Sequence, residues 1–423
     1  MKKYLMILSM ALMIFLLASC NVNVISTKEQ PKPIVPIEIE PTDSVRKLST
    51  DREVSQDYQI ASLTLVQKQV LQKFALLWPS VLFNGEKNEI FSPISLYFAL
   101  AMLDAGASDE EIIAELDQLM GASVEDVMPL MKKVYENNHY SNDRGRCYLA
   151  NSIWVRPELN IEPQYYTMLS EYFNAESYLA NFASNETKKK IVDWINYYTE
   201  DLLQLTPENY DIDEGLALML LNTIYFNNSW LEEFGKPFDK TFYAKDGSYT
   251  TKFMYHKVYT TYKFTSSYTA VSDAFANGNR IYYFMPTENG SLTELFNSSF
   301  DELTKDLKSS DVKLTVPLFK TMAEYDLINP LKNMGYTKMF DACNGYQGIT
   351  QNLYIDIIKQ NAGIILSEKG VEAAAVTQIG GKVTSVAPPM QEIIITLDHP
   401  FFYLILDSNN IPLFMGVTTK PQN

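Results

Sequence analysis

Apolar residues along this chain change their spacing several times, and each change marks an element. From about Gln56 the spacing is helical, with Val66, Val70, Phe74 and Leu77 recurring every three or four residues until Pro79 disturbs or ends the run. Ser92 and Pro93 suit the N-cap and first position of a second helix, because a serine oxygen satisfies an orphan N–H and proline has none to leave unsatisfied. That helix runs through Leu96, Leu100 and Leu103 to Gly106, and Ser108 with Glu111 has capping-box spacing for the next, closed at Gly121. Tyr148 to Val155 predicts a strand, whereas Ile191, Trp194, Ile195, Tyr198 and Leu202 form one helical stripe. Leu218 to Phe226 is almost wholly apolar, the pattern of a strand buried on both faces, so the amide of Asn222 must find partners inside. Residues 240–310 are strand-like and aromatic, with Arg280 to Pro286 the clearest run.

Between Glu368 and Pro389 the pattern supports two structures. Val371, Ala373, Ala375, Thr377, Ile379 and Val383 share odd positions and are small or uncharged, while Glu372, Gln378 and Lys382 are even, so a strand here has one dry face. Gly380-Gly381, Gly370 and Pro388-Pro389 mark the same stretch as an exposed loop. No proline lies between Glu368 and Ala387, so nothing in the backbone prevents the loop from becoming a central strand.

The 423 residues are 46% hydrophobic, enough for a sizeable core, and no internal repeat or second domain divides the body. A formal net charge of -16 argues against nucleic acid or an anionic membrane as a partner of that body. Residues 1–19 read as a signal peptide: Lys2 and Lys3, an apolar run from Leu5 to Leu17, then small residues. Leu17-Ala18-Ser19-Cys20 resembles a bacterial lipobox, which implies lipid on Cys20 and an outer-membrane address, with the membrane face left open. Residues 20–56, with Pro31, Pro33, Pro36 and Pro41, predict an extended tether ahead of a body at 57–423. Cys147 and Cys343 are the other cysteines; two buried thiols or one disulfide both remain open.

Enzyme chemistry is hard to find. His139, His256 and His399 are scattered without an HExxH, GxSxG or CxxC pattern, and no glycine-rich phosphate loop, metal motif or cofactor motif accompanies them.

A family resemblance joins these parts. Glu368-Lys369-Gly370-Val371-Glu372-Ala373-Ala374-Ala375-Val376-Thr377 resembles the hinge of the reactive-centre loop of serpins, the serine protease inhibitor family. Asn88 to Ala107, Tyr148 to Val155, Lys313 to Asp341 and the C-terminal blocks Leu397 to Phe402 and Pro412 to Gly416 resemble serpin segments in the same order, over roughly residues 57–420. The resemblance implies an α+β serpin fold, with a large central sheet, surrounding helices, smaller sheets and an exposed loop over 368–389. It places Ser92, Ser95 and Asn222 in a polar shutter cluster beneath the opening sheet and Trp230 where the loop first inserts, although either Asn222 or Trp230 also reads as ordinary core. The family's usual shutter histidine is replaced by Gln360, whose amide still donates and accepts.

By resemblance the function is protease inhibition. A target protease cuts the loop, forms an acyl-enzyme ester, and is carried along as the loop inserts. About fifteen residues at roughly 3.3 Å each is a journey of about 50 Å. At about 0.5–1.5 kcal/mol per new hydrogen bond it releases on the order of 10 kcal/mol, comparable with a domain's stability. Family spacing puts the scissile bond at Thr384–Ser385, with Ser385–Val386 and cleavage after Lys382 or Val383 as alternatives. Thr384 or Val383 suits an elastase-like protease, Lys382 a trypsin-like one, and papain-like cysteine proteases remain a further class. Val371, small and uncharged at the first inward hinge position, favours an inhibitor; the expected partner is a target serine protease in covalent complex, with the protein a monomer and no cofactor. The alternative is a non-inhibitory serpin body or a glycan-binding surface lipoprotein.

Overall fold

Thr64 starts the first helix by accepting from Gln67 N while Gln67 Oε1 accepts from Thr64 N, a reciprocal cap that satisfies two orphan donors. The structure, a computed structural model, describes residues 42, 44–48, 60–208, 212, 214–341, 345–355, 357–371 and 392–422. Helix α1 (Leu65–Leu77) therefore begins well after Gln56. Its buried side is Leu71, Phe74 and Ala75, while Val66 is 68% exposed, so the predicted stripe is rotated: only Val70 and Phe74 of it pack inward. Pro79 opens the short α2 (Pro79–Leu82).

Ser92 and Pro93 start α3 (Pro93–Asp104) as expected, and the helix is buried almost all round. The next helix, α4 (Glu110–Met120), is capped by Asp109 rather than Ser108: the Asp109 carboxylate accepts from Glu111 N at 2.9 Å and Ile112 N at 3.2 Å. Ser108 Oγ accepts from Gln347 N instead, a tertiary partner that outcompetes the local cap. Around them lie α5 (Val124–Asn138), α6 (Pro163–Tyr172), α7 (Asn185–Tyr198), α8 (Leu292–Phe296), α9 (Phe300–Thr304) and α10 (Ile328–Asn333).

The described residues form three sheets. The first joins β1 (Val45–Lys47), β5 (Glu176–Ala180), β4 (Gly145–Val155) and β3 (Tyr140–Asn142), with β6 (Leu218–Asn228) antiparallel to β4 along its whole length. The third joins β12 (Phe319–Asp326), β13 (Lys359–Ser367) and β14 (Gly370–Val371). The second and largest holds β15 (Ile393–Thr396), β11 (Lys308–Pro317), β8 (Gly247–Phe264), β9 (Tyr268–Ala274), β10 (Arg280–Pro286), β16 (Phe401–Leu406), β17 (Pro412–Thr418) and β2 (Glu89–Phe91), with β7 (Phe238–Ala244) on β8.

Strand alternation explains how β4 and β6 divide the interior. Leu149 and Ile153 of β4 and Ile224 and Phe226 of β6 join the main core with α3, whereas Trp154 and Tyr225 point to a second core under α7, with Ile191, Trp194, Ile195 and Tyr198. The all-apolar run is buried on both faces, as its pattern predicts. Leu202 is buried too, but past the end of α7. Residues 44–48, inside the stretch expected to be a tether, are docked on the body instead: Val45, 1% exposed, packs into the α7 core as β1 pairs with β5.

Candidate functional site

Two residues of the predicted hinge already belong to a sheet. After β13 the chain turns at Glu368 and Lys369, and β14 runs back antiparallel with Val371 opposite Leu366 and Gly370 opposite Ser367. On its other side Gly370 bridges to Ser229, directly beyond β6. The turn is gripped from one segment: Trp230 N donates to Lys369 O at 3.3 Å, Phe234 N to Glu368 O at 3.1 Å, and Trp230 Nε1 to Ser367 O at 2.9 Å. Trp230 is itself stacked on Phe275, ring centres 4.6 Å apart, so the indole is a fixed clamp.

Glycine is required at this mouth. Gly370 has φ +138°, and a Cβ there would stand 2.1 Å from Asn228 O, so a larger residue has to push the turn away from β6. Val371 follows, 1% exposed in the main core.

Below the mouth, β6 and β13 are not paired with each other among the described residues, and a narrow cleft of about 30 Å³ opens between their lower halves and α3. Ser95, Asn222 and Gln360 line it together. The shutter residues nevertheless form two groups. Gln360 Oε1 accepts from Ser92 N and Gln360 Nε2 donates to Ser92 O, each at 2.8 Å; Ser92 Oγ donates to Leu413 O at 2.8 Å and accepts from Ser95 N at 3.3 Å. Asn222, by contrast, donates to Asn151 Oδ1, directly opposite on β4, and Asn151 Nδ2 donates to Phe173 O at 2.7 Å. Asn151 was missed in the sequence, although an amide inside the apolar run YLANSIWV is the same signal that singled out Asn222.

Glu372, Ala373, Ala374, Ala375, Thr377, Lys382, Val383, Thr384, Ser385 and Cys20 lie outside the described residues, as does Cys343. Cys147 is a free, buried thiol whose pKa is pushed up by that burial.

Charge is scarce around the cleft, and the histidines stay apart. His139 is buried against Leu149 O at 2.8 Å, and desolvation lowers its pKa to about 4. His256 stands 3.0 Å from the Asp273 carboxylate, and His399 beside Asp398. At the far end of α3, burial raises Asp104 to about 7, with Asp117 and Glu125 adding like charge, and neither carboxylate oxygen has a hydrogen-bond partner.

The family described as Serpin (serine protease inhibitor) matches residues 71–421. The chain belongs to the serpin family. Among curated relatives, Iripin-8 of Ixodes ricinus is 29% identical over 364 residues, 79% of this chain and 88% of that one. An uncharacterized serpin-like protein of Methanosarcina acetivorans is 28% identical over 357 residues, covering 80% and 83%. Among solved structures, the thermophilic serpin Tengpin in its native state superposes with a TM-score of 0.76 at 22% identity, covering 86% of this chain and 96% of that one. Native protease nexin-1 with heparin gives 0.70 at 25%, covering 84% and 98%. Serpins are generally protease inhibitors rather than enzymes, and the fold is theirs: a large mixed sheet, helices and smaller sheets.

Proposed function

We propose that this serpin inhibits serine proteases by letting its loop be cut and then drawing the cut strand into the gap between β6 and β13. One observation carries the reading: Gly370 and Val371 already occupy the mouth of that gap, both paired with β13 and Gly370 bridged to Ser229 on the other side. The next residues, Glu372 through Thr377, continue the alternation with alanines on the inward positions, so the strand is started and nothing in its sequence stops it.

The protease attacks at Thr384–Ser385, or at the neighbouring bonds after Lys382, Val383 or Ser385, and the acyl-enzyme is trapped when insertion outruns deacylation. Small residues there fit an elastase-like S1 pocket. The protein acts as a monomer, held by lipid on Cys20 as an outer-membrane lipoprotein. The alternative, glycan binding through the tyrosines, has Tyr243, Tyr255 and Tyr259 exposed, while all four tryptophans, Trp78, Trp154, Trp194 and Trp230, are buried.

Incubation with pancreatic elastase and with trypsin tests the proposal. An SDS-stable complex and a marked rise in melting temperature after loop cleavage are expected. Cleaved inhibitor without complex rejects inhibition, and cleavage without a gain in stability rejects insertion altogether.

A further inference from the structure

The N-terminal segment adds a strand where a free tether is expected. Three residues pair antiparallel along the outer edge of β5, Val45 with Ala180, Arg46 with Leu179 and Lys47 with Tyr178. Leu48 N donates to Ser177 O at 2.7 Å and Asn181 N to Ser44 O at 3.0 Å, which extends the pairing at both ends.

The same segment holds α7. Thr187 Oγ1, on the first turn of α7, donates to Ser44 O at 3.3 Å. Lys47 Nζ lies 3.1 Å from Glu176 Oε1, in a site where the two side chains are only 14% and 12% exposed. Glu176 Oε2 also accepts from Trp194 Nε1 at 2.6 Å and from Tyr178 OH at 2.8 Å, and Oε1 from Tyr198 OH at 3.3 Å. One carboxylate thus ties β1, β5 and the C-terminal half of the inner face of α7 together. Because the ion pair is largely withdrawn from solvent, its hydrogen bonds are stronger than those of a surface pair.

The same C-terminal end of α7 reaches across the gap. Past Tyr198 the chain carries Leu202 and Leu203 onto β13, where a Cβ on Gly363 would meet their Cδ2 atoms at 3.3 and 3.2 Å. Leu203 and Ile365 of β13 pack on the same α7 core that contains β6 residues Met219, Leu221 and Tyr225. The segment 199–205 is therefore a strap from α7 to β13 across the slot. A strand entering beside β6 has side chains on that face and cannot travel past Gly363 until the strap lifts.

We propose that β1 is a latch on this strap: by pinning α7 to the sheet edge, residues 44–48 set the rate at which the loop inserts. The proposal rests on the insertion reading. Val45, Lys47 and Glu176 are then positioning residues that act through α7 without touching the loop.

Two full-chain variants test it. In Arg46→Cys with Leu179→Cys, opposed in register and remote from buried Cys147, oxidation locks β1 in place. In Val45→Asp, a carboxylate in the α7 core expels it. Insertion is timed by Trp230 fluorescence after loop cleavage with pancreatic elastase, and by the rise in melting temperature.

The expected result is insertion at least about tenfold slower in the oxidised double-cysteine protein, restored by reductant, and about tenfold faster in Val45→Asp, equivalent to about 1.4 kcal/mol on the barrier. If the wild type inserts but oxidised and reduced forms do so at equal rates, the latch is wrong and the insertion reading stands. If the wild type gains no stability after cleavage, both fall. Should Val45→Asp fail to fold, the redox pair decides alone.

Discussion

Gln360 and Ser92, 268 residues apart in the chain, exchange two hydrogen bonds of 2.8 Å in which one carboxamide matches one peptide unit. Both partners are at most 4% exposed, so water cannot replace either bond. The contact joins β13 to the start of α3 and fixes one wall of the gap. A carboxamide does not titrate, so this joint holds at any physiological pH, unlike one built on imidazole.

Replacing Gln360 with Ala leaves the buried Ser92 N–H without a partner, at about 1–3 kcal/mol, and leaves the Ser92 carbonyl only the long 3.4 Å bond from Leu96 N. Gln360→Ala is expected to lower the stability of the uncut protein by about 2–4 kcal/mol while the cleaved form loses less of its gain. Urea midpoints of the two forms check this; an unchanged uncut midpoint refutes the role given to Gln360.

Val371→Arg puts a long cation into the main core at a position 1% exposed. A guanidinium there has to be expelled, which withdraws the strand's first inward residue and slows insertion. The protein is expected to turn from inhibitor into substrate, the elastase needed to consume it falling by more than about tenfold while the loop is still cut. Gel counting of complex against cleaved product measures the ratio.

Gly370→Ala meets Asn228 O at 2.1 Å in a backbone conformation that only glycine adopts readily. The turn has to move off β6, loosening the Trp230 clamp. A red-shifted Trp230 emission and a loss of about 1–3 kcal/mol in the uncut form are expected, and wild-type fluorescence with wild-type stability counts against the clamp.

Asp104 supplies a pH dependence. Its folded pKa, about 7, lies above the ordinary carboxylate value of 3.8, so the folded state keeps a proton that the unfolded chain has released. Stability from this group therefore falls as pH rises from about 4 to 7 and stays low above that. Asp104→Asn removes the buried charge, and at pH 8 the variant is expected to exceed the wild type by on the order of 2–4 kcal/mol, the gap closing near pH 4. Denaturation at pH 4.5 and pH 8 decides it; a constant difference contradicts the assignment.

Where the governing rules are local, the order of residues was enough to set the structure. The caps at Ser92 and Pro93, the two-faced burial of Leu218 to Phe226 and the family motifs all depend on residues a few positions apart, where side-chain direction follows from the backbone period. Where distant segments compete for one group, tertiary structure decided. Gln347 took the Ser108 hydroxyl and left Asp109 to cap α4; Asn151 rather than the serines took Asn222; packing against the core rotated the buried face of α1 away from Val66. The docking of Val45 on β5 belongs to the same class: three residues carry too little local signal to announce a strand, and only an open sheet edge with an apolar site under α7 gives them one.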